Sequence, residues 1–404
     1  MLAATTSITD RRSGRLSLFG LLYFVQGALF AYVLVFNNLY LRAFNASAQQ
    51  LAWLNGLLVI PFILKIGIGL LSDKVSLFGR GHRLPYMISG LCITAGSLCL
   101  AAFIPPVTYF PLFLAVSLLI ALGVALYDTV TDGLAVDVTP PEEMGLVQGS
   151  MVIGRSLGLV MLAAAYGRVI TEFGWGVVFV AATFFSLTPL LLLWRVREPE
   201  ERPPTRTFDW NALRALWQPR VRLLMVFGIL YSFVAYGANA IVALFANEGL
   251  GASLVQVGDA AALGGLGMLI GGGIVMALDR KFTICTRGVG VTVLISLTLL
   301  GIALFTSLEN VLTMTLVWGM CLAAVELIFV TLAMLNADPR LGAATFAIFM
   351  AIGNVGTGLG QATTTGLIDT IDFRWLFALL GVMNLTLLPL LYRLRRLESA
   401  PTPS

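Results

Sequence analysis

Apolar residues run through this chain in long blocks, broken by short polar stretches. Twelve blocks reach spanning length, centred on residues 17–40, 50–71, 85–105, 109–136, 146–168, 175–195, 221–246, 256–278, 288–306, 310–335, 342–367 and 374–392. A hydrocarbon core of about 30 Å takes roughly 20 helical residues, and every block meets that length. The pattern predicts an all-α integral membrane protein with twelve transmembrane helices. Pro105-Pro106 and Pro140-Pro141 mark turns, the second pair separating runs four and five.

The longest polar connection lies between runs six and seven. It is charged and rich in proline: Glu198-Pro199-Glu200-Glu201-Arg202-Pro203-Pro204. It divides the chain into a six-helix bundle over 1–195, a linker over 196–219, a second six-helix bundle over 220–395 and a disordered tail over 396–404. The two halves read as weak copies. Asp128 lies 17 residues before Gly145, and Glu326 lies 16 before Gly342. Asp128 and Glu326 are therefore candidate equivalents, as are Arg155 and Asn354. Internal repeats with a site between them are a signature of transporters.

Composition agrees with a membrane protein and sets the orientation. The chain is 58% hydrophobic and 11% charged, against about 25% charged in soluble domains. Twenty of its 25 Lys and Arg fall in segments that share one side if both termini are cytoplasmic. The other loops hold only Arg42, Arg168 and Arg374. This asymmetry predicts both termini in the cytoplasm, and the expected location is the cell membrane, plasma or inner. The residues from 17 to 36 are long enough to span and lack a small-residue cleavage site, so they read as a retained helix rather than a signal peptide. Cys92, Cys99, Cys285 and Cys321 have no metal-site spacing and read as small apolar packing residues. His82 reads as a solvated loop residue. No paired histidines or nucleophile elbow appear, which argues against an enzyme. No cofactor, metal or nucleic acid is called for, and the chain is expected to be a monomer in a lipid bilayer.

Five polar groups interrupt the apolar runs at one depth. At about 1.5 Å per residue, Lys65, Asp128, Arg155, Glu326 and Gln26 each lie roughly 12–15 Å from the cytoplasmic end of their helix, near the midplane. A charge at the centre of a span costs roughly 2.5–3.5 kcal/mol on insertion scales, so it reads as a functional group with a partner nearby. Asp128 and Asp132 share a helix face at i,i+4 spacing. Two carboxylates this close in a low dielectric resist ionising together, which makes Asp128 a candidate proton carrier. The alternative for Asp128 is a permanent ion pair with Arg155 that only holds two helices together. For Lys65 it is a snorkelling or pairing lysine. For Gln26, Asn239, Asn354 and Gln361 it is interhelical hydrogen bonding.

The run Gly69-x-Leu71-x-Asp73-Lys74, followed by Gly79, Arg80 and Arg83, resembles the signature between helices two and three of the major facilitator superfamily. Here about three extra residues, Ser76 to Phe78, precede the glycine. Tyr23-Phe24-Val25-Gln26-Gly27, Pro61-Phe62-Ile63-Leu64-Lys65, the stretch from Phe78 to Tyr86, and Asp128-x-x-x-Asp132 resemble the folate–biopterin transporter branch. Muropeptide permeases and acetyl-CoA transporters share much of this pattern. The resemblance implies two pseudo-symmetric six-helix bundles that rock about a cavity lined by helices one, four, seven and ten. Gly69, Asp73, Lys74, Gly79, Arg80 and Arg83 would then form a cytoplasmic gate. The expectation is a secondary transporter working by alternating access as a proton symporter for a small anionic solute: pterin- or folate-like, muropeptide-like or an acyl-nucleotide. Asp128, Asp132, Glu326, Arg155, Lys65 and Gln26 are its expected solute and coupling-ion residues. The alternative is a non-transporting assembly factor for pigment–protein complexes on the same fold.

Overall fold

The structure is a computed structural model of the chain and describes residues 7–77, 81–198, 217–278, 281–336 and 343–398. Among the described residues every regular element is helical. The first span is α1 (Arg12–Ala31), which runs through a π-helical turn (Tyr32–Phe36) into α2 (Asn37–Ala43). The second is α3 (Ala48–Leu57), α4 (Ile60–Ile63) and α5 (Lys65–Lys74). Then come α6 (Leu84–Ala101), α7 (Phe110–Val138) and α8 (Met144–Phe173), with α9 (Gly176–Leu187) and α10 (Leu190–Leu193) making the sixth span. The seventh is α11 (Pro219–Leu244), which ends in a second π-helical turn (Phe245–Gly249). It is followed by α12 (Leu254–Ala277), α13 (Ile284–Phe305), α14 (Val311–Leu335) and α15 (Ala343–Leu367). The last is α16 (Phe373–Asn384) with α17 (Leu387–Glu398). Eleven spans among the described residues are long and apolar enough to cross a membrane. Helix α15, with 25 residues, supplies the twelfth.

Side-chain caps place several helix starts. Ser47 and Ser253 each form a capping box, with Gln50 and Gln256, which satisfies backbone N–H groups that have no partner inside the helix. Helix α8 ends at Gly174, whose positive φ of 80° suits glycine and whose N–H bonds the Ile170 carbonyl.

The second run, expected as a single helix, is broken at Pro61. Proline has no N–H to donate and its ring displaces the carbonyl four residues back. The chain responds with a tight turn, in which Phe62 and Ile63 both bond the Val59 carbonyl at 3.0 and 3.1 Å.

Contacts divide the chain into two compact units. One comprises Met1–Asn45 and Leu64–Arg206, the other Ala46–Ile63 and Thr207–Ser404. In the first unit, α1 and α8 touch backbone to backbone: a Cβ on Gly154 or Gly158 would lie 2.2 Å from the Gly20 carbonyl oxygen or 2.1 Å from that of Phe24. A short 3₁₀ turn (Ile8–Asp10) docks on the end of the sixth span through Ile8 N–H to the Arg195 carbonyl, 3.1 Å. Arg15 is buried beneath it, donating to the Thr9 carbonyl and to Glu143, each at 2.5 Å. The second unit repeats the backbone contact between α11 and α15 at Gly356 and Gly360. Helix α3 packs on α15, and Ala48 N–H bonds Asp369 at 2.9 Å. The second span up to Ile63, α3 and α4, thus belongs to the second unit, and α5 packs on α7 in the first.

Candidate functional site

Helix α7 carries Asp128 and Asp132 one turn apart, so both carboxylates leave the same face. Around them stand Tyr23 and Gln26 on α1, Lys65 at the start of α5 and Arg155 on α8. All belong to the first unit. Asp128 is 4% exposed and both its oxygens are engaged. Gln26 Nε2 donates to Oδ1 at 2.6 Å, and Lys65 Nζ donates to Oδ2 in an ion pair. The partner of Asp128 is therefore Lys65 rather than Arg155. Lys65 opens α5, just beyond the turn at Leu64, and α5 packs on α7.

Asp132 sits in a different setting. It is exposed, and it accepts a hydrogen bond from the Tyr23 hydroxyl. Its charged neighbours are Asp128, Lys65 and Arg155. Arg155 is half-buried and has no ion pair among the described residues. Gln26 is 3% exposed, and its carbonyl oxygen Oε1 has no hydrogen-bond partner among the described residues. Buried acceptors without a donor are uncommon enough to need a reason.

A second cluster lies where the second, third and fourth spans meet their loops. Arg83, just ahead of α6, pairs with Asp73 through Nη1 at 2.7 Å and with Asp137 through Nε at 2.9 Å. Burial works against its charge, but the hydrogen bonds and charges of Asp137 and Asp73 outweigh it and raise its pKa. Gly133 leaves room for this guanidinium: a Cβ there would lie 2.7 Å from Arg83 Cζ. Glu198, at the end of the sixth span, accepts the N–H groups of His82, Arg83 and Leu84 at 2.8, 2.8 and 2.7 Å. It thereby caps the amino end of α6, where free N–H groups and the helix dipole favour an anion. His82, expected to be solvated, is half-buried, with Nδ1 3.2 Å from the Ser72 carbonyl oxygen. Gly69 and Lys74 lie on α5, with Lys74 at its end. Gly79 and Arg80 lie outside the described residues, as does most of the linker.

In the second unit, Glu326 on α14 is half-buried and is a charged neighbour of Tyr231 on α11. Trp318 Nε1 donates to Asn239 at 3.2 Å, and Asn354 Nδ2 donates to the Phe62 carbonyl at 3.3 Å. Both asparagines thus make interhelical bonds, as their position inside apolar runs predicted.

Sequence reasoning therefore gathered Gln26, Lys65 and Asp128 correctly by depth, and it linked Asp73 with Arg83 through their motif. It missed the roles of Tyr23, Asp137, Gly133 and Glu198. Tyr23 lies one turn before Gln26 on the same helix, and that spacing was the available signal. Glu198 had none, because its partners are backbone groups.

Residues 19–360 match the sequence profile of the Major Facilitator Superfamily. The chain belongs to the Major Facilitator Superfamily. A curated relative, the folate-biopterin transporter of Synechocystis sp. (strain ATCC 27184 / PCC 6803 / Kazusa), is 32% identical over 210 residues. The match takes in 48% of this chain and 41% of that protein, so this superfamily member spans less than half of the relative's length. Among solved structures, the nucleoside transporter NupG (D323A mutant) superposes with a TM-score of 0.80 at 12% identity, covering 95% of this chain and 99% of that one. A bacterial homolog of the human lysosomal transporter Spinster, inward-facing and unoccupied, gives a TM-score of 0.72 at 17% identity, covering 96% and 98%. At these identities the likeness shows the fold: twelve helices in the major facilitator arrangement. As a superfamily member the chain is a multi-pass membrane protein.

Proposed function

We propose that this transporter works by alternating access and carries a small anionic organic solute together with protons. The observation that carries the reading is the mid-membrane cluster of two carboxylates, two cations, an amide and a phenol on four helices of one unit. Buried ionisable groups in a membrane mark solute and ion pathways. Arg155 and Lys65 attract a carboxylate or phosphate on the solute, and Gln26 offers an unused acceptor. Asp128, Asp132 and Glu326 are the candidates for proton binding. Among the solutes that fit two basic groups, a pterin or folate is favoured by the relative's name and by the motifs in the first two spans. Muropeptide-like and acyl-nucleotide solutes share the required charge. Gly69, Asp73, Lys74, Gly79, Arg80 and Arg83 form the cytoplasmic gate in this reading. The excess of Lys and Arg on one side supports both termini in the cytoplasm, and we place the protein in the cell membrane, plasma or inner. We take the working unit to be a monomer.

The test is uptake of labelled folate and biopterin by proteoliposomes holding the purified full chain, with and without an inward proton gradient. Gradient-stimulated accumulation, lost in Arg155→Ala, is the expected result. If uptake equals that of empty vesicles for both compounds while the protein stays folded, the pterin class is wrong. Stoichiometric pigment–protein co-purifying with such an inactive chain would turn the reading towards an assembly factor.

A further inference from the structure

We infer that of the two carboxylates on α7, Asp132 is the one that takes up and releases a proton, through its bond to Tyr23, and that the site carries one proton together with one solute carboxylate. This rests on the transport reading above and makes it specific.

The argument begins with occupancy. Asp128 is sealed at 4% exposure, with one oxygen held by Gln26 and the other by Lys65. Protonating it would break the ion pair with Lys65, which is disfavoured in a low-dielectric setting. Asp132 has neither obstacle. It is exposed, and its hydrogen-bond partner is a neutral phenol. A phenol hydroxyl donates to a carboxylate and can equally face a protonated carboxyl, because it is both donor and acceptor. A proton arriving from water therefore lands on Asp132 without dismantling the Lys65–Asp128 pair.

The charged groups that face Asp132 set the charge balance of the site. They are Lys65 from α5, Arg155 from α8 and Asp128 from its own helix; Tyr23 on α1 is neutral. With both carboxylates ionised, two anions balance two cations and the cluster is neutral. One proton on Asp132 leaves it with a single positive charge, centred on Arg155. A solute carboxylate then restores neutrality. Release of the proton on the other side returns Asp132 to its ionised form beside Arg155 and expels the anion. The cycle moves one proton with one negative charge, so a monoanionic solute crosses without net charge.

The test has two arms. Infrared spectra of the full-length protein in lipid nanodiscs are recorded from acid to alkaline pH, following the carbonyl stretch of protonated carboxyl groups. A titrating band present in the native protein should vanish in Asp132→Asn. It should persist in the double variant Asp128→Asn/Lys65→Gln, which removes opposite charges together. Tyr23→Phe should move its midpoint. Persistence in Asp132→Asn with loss in the double variant overturns the assignment. In the second arm, proteoliposomes take up pterin-6-carboxylate, a monoanion, under an imposed pH gradient or a potassium-diffusion potential. The gradient should raise the initial rate several-fold and the potential should leave it unchanged. Acceleration by the potential alone overturns the one-to-one coupling. Absence of any uptake, with the infrared result intact, would overturn the solute class and leave the proton assignment standing.

Discussion

Gly27 and Arg155 meet backbone to backbone: a Cβ on Gly27 would lie 2.0 Å from the Arg155 carbonyl oxygen. Gly154 and Gly158, on either side of Arg155, make the same approach to α1. Three glycines thus set the distance between the helix that bears Arg155 and the helix that bears Tyr23 and Gln26. Gly27→Ala and Gly158→Ala should each cost about 1–3 kcal/mol, the usual penalty for forcing atoms into a packed interface. Gly149 is the control, because nothing lies within 4 Å of its added Cβ. Gly149→Ala should change stability by less than about 0.5 kcal/mol. Thermal unfolding in detergent reads both, and equal melting temperatures for the three variants would refute the contact.

The Lys65–Asp128 pair makes a non-additive prediction. Removing Asp128 alone breaks the ion pair and takes away the carboxylate bonded to the amine, a loss of about 3–5 kcal/mol where such a pair is fully buried. The Lys65 side chain is 31% exposed, so Asp128→Ala should sit at or below the low end of that range. The double variant Lys65→Met/Asp128→Leu should be milder than Asp128→Ala alone, because no lone charge remains. A double variant as unstable as the sum of the two singles would show that the residues do not act on one another.

The fold was legible because span length is a one-dimensional property. Twelve apolar runs and the positions of Lys and Arg needed no knowledge of contacts. Depth was legible for the same reason, which is why Gln26, Lys65 and Asp128 were grouped before their bonds were seen. Pairing was not. Distance along a helix axis says nothing of rotation about it, so the sequence offered Arg155 as the partner of Asp128 and left Lys65 as a snorkelling or pairing lysine. The packing of α5 on α7 brings Lys65 to Asp128, and that contact is not written in the spacing of the chain. Glu198 stayed invisible because it binds main-chain N–H groups, which every residue but proline carries.

The Arg83 cluster predicts a strict requirement for a guanidinium. Nε holds Asp137 while Nη1 holds Asp73 and Ser72, a fork that a single ammonium does not reproduce. Arg83→Lys should forfeit one charged hydrogen bond, about 1.5–3 kcal/mol, and slow transport roughly tenfold. Solute affinity measured by thermal shift should stay unchanged, since Arg83 lies outside the spans. The folded state raises the pKa of Arg83 above its ordinary value. Stability from a raised base is present below the unfolded value and fades only as pH climbs through the folded one. The contribution of Arg83 should therefore be flat across neutral pH. A wild-type minus Arg83→Lys stability difference that falls between about pH 6 and pH 9 would contradict this.

Gly81 and Glu198 supply the last prediction. Gly81 has φ of 129°, a conformation that side chains rarely adopt, and a Cβ there would also lie 2.5 Å from Glu198 Oε1. Gly81→Ala therefore carries two penalties, backbone strain of about 1–3 kcal/mol and a clash with the cap. Glu198→Ala removes the acceptor of three N–H groups and should cost about 1–2 kcal/mol, as loss of a helix cap does. In the Glu198→Ala background the clash disappears while the strain stays. Gly81→Ala should then destabilise less than it does in the native chain, so the two losses combine to less than their sum. A double-mutant cycle on thermal unfolding measures this, and contacts of this kind give couplings of about 0.5–3 kcal/mol. Strict additivity would mean that Glu198 does not hold the turn before α6, and the cap would have to be assigned elsewhere.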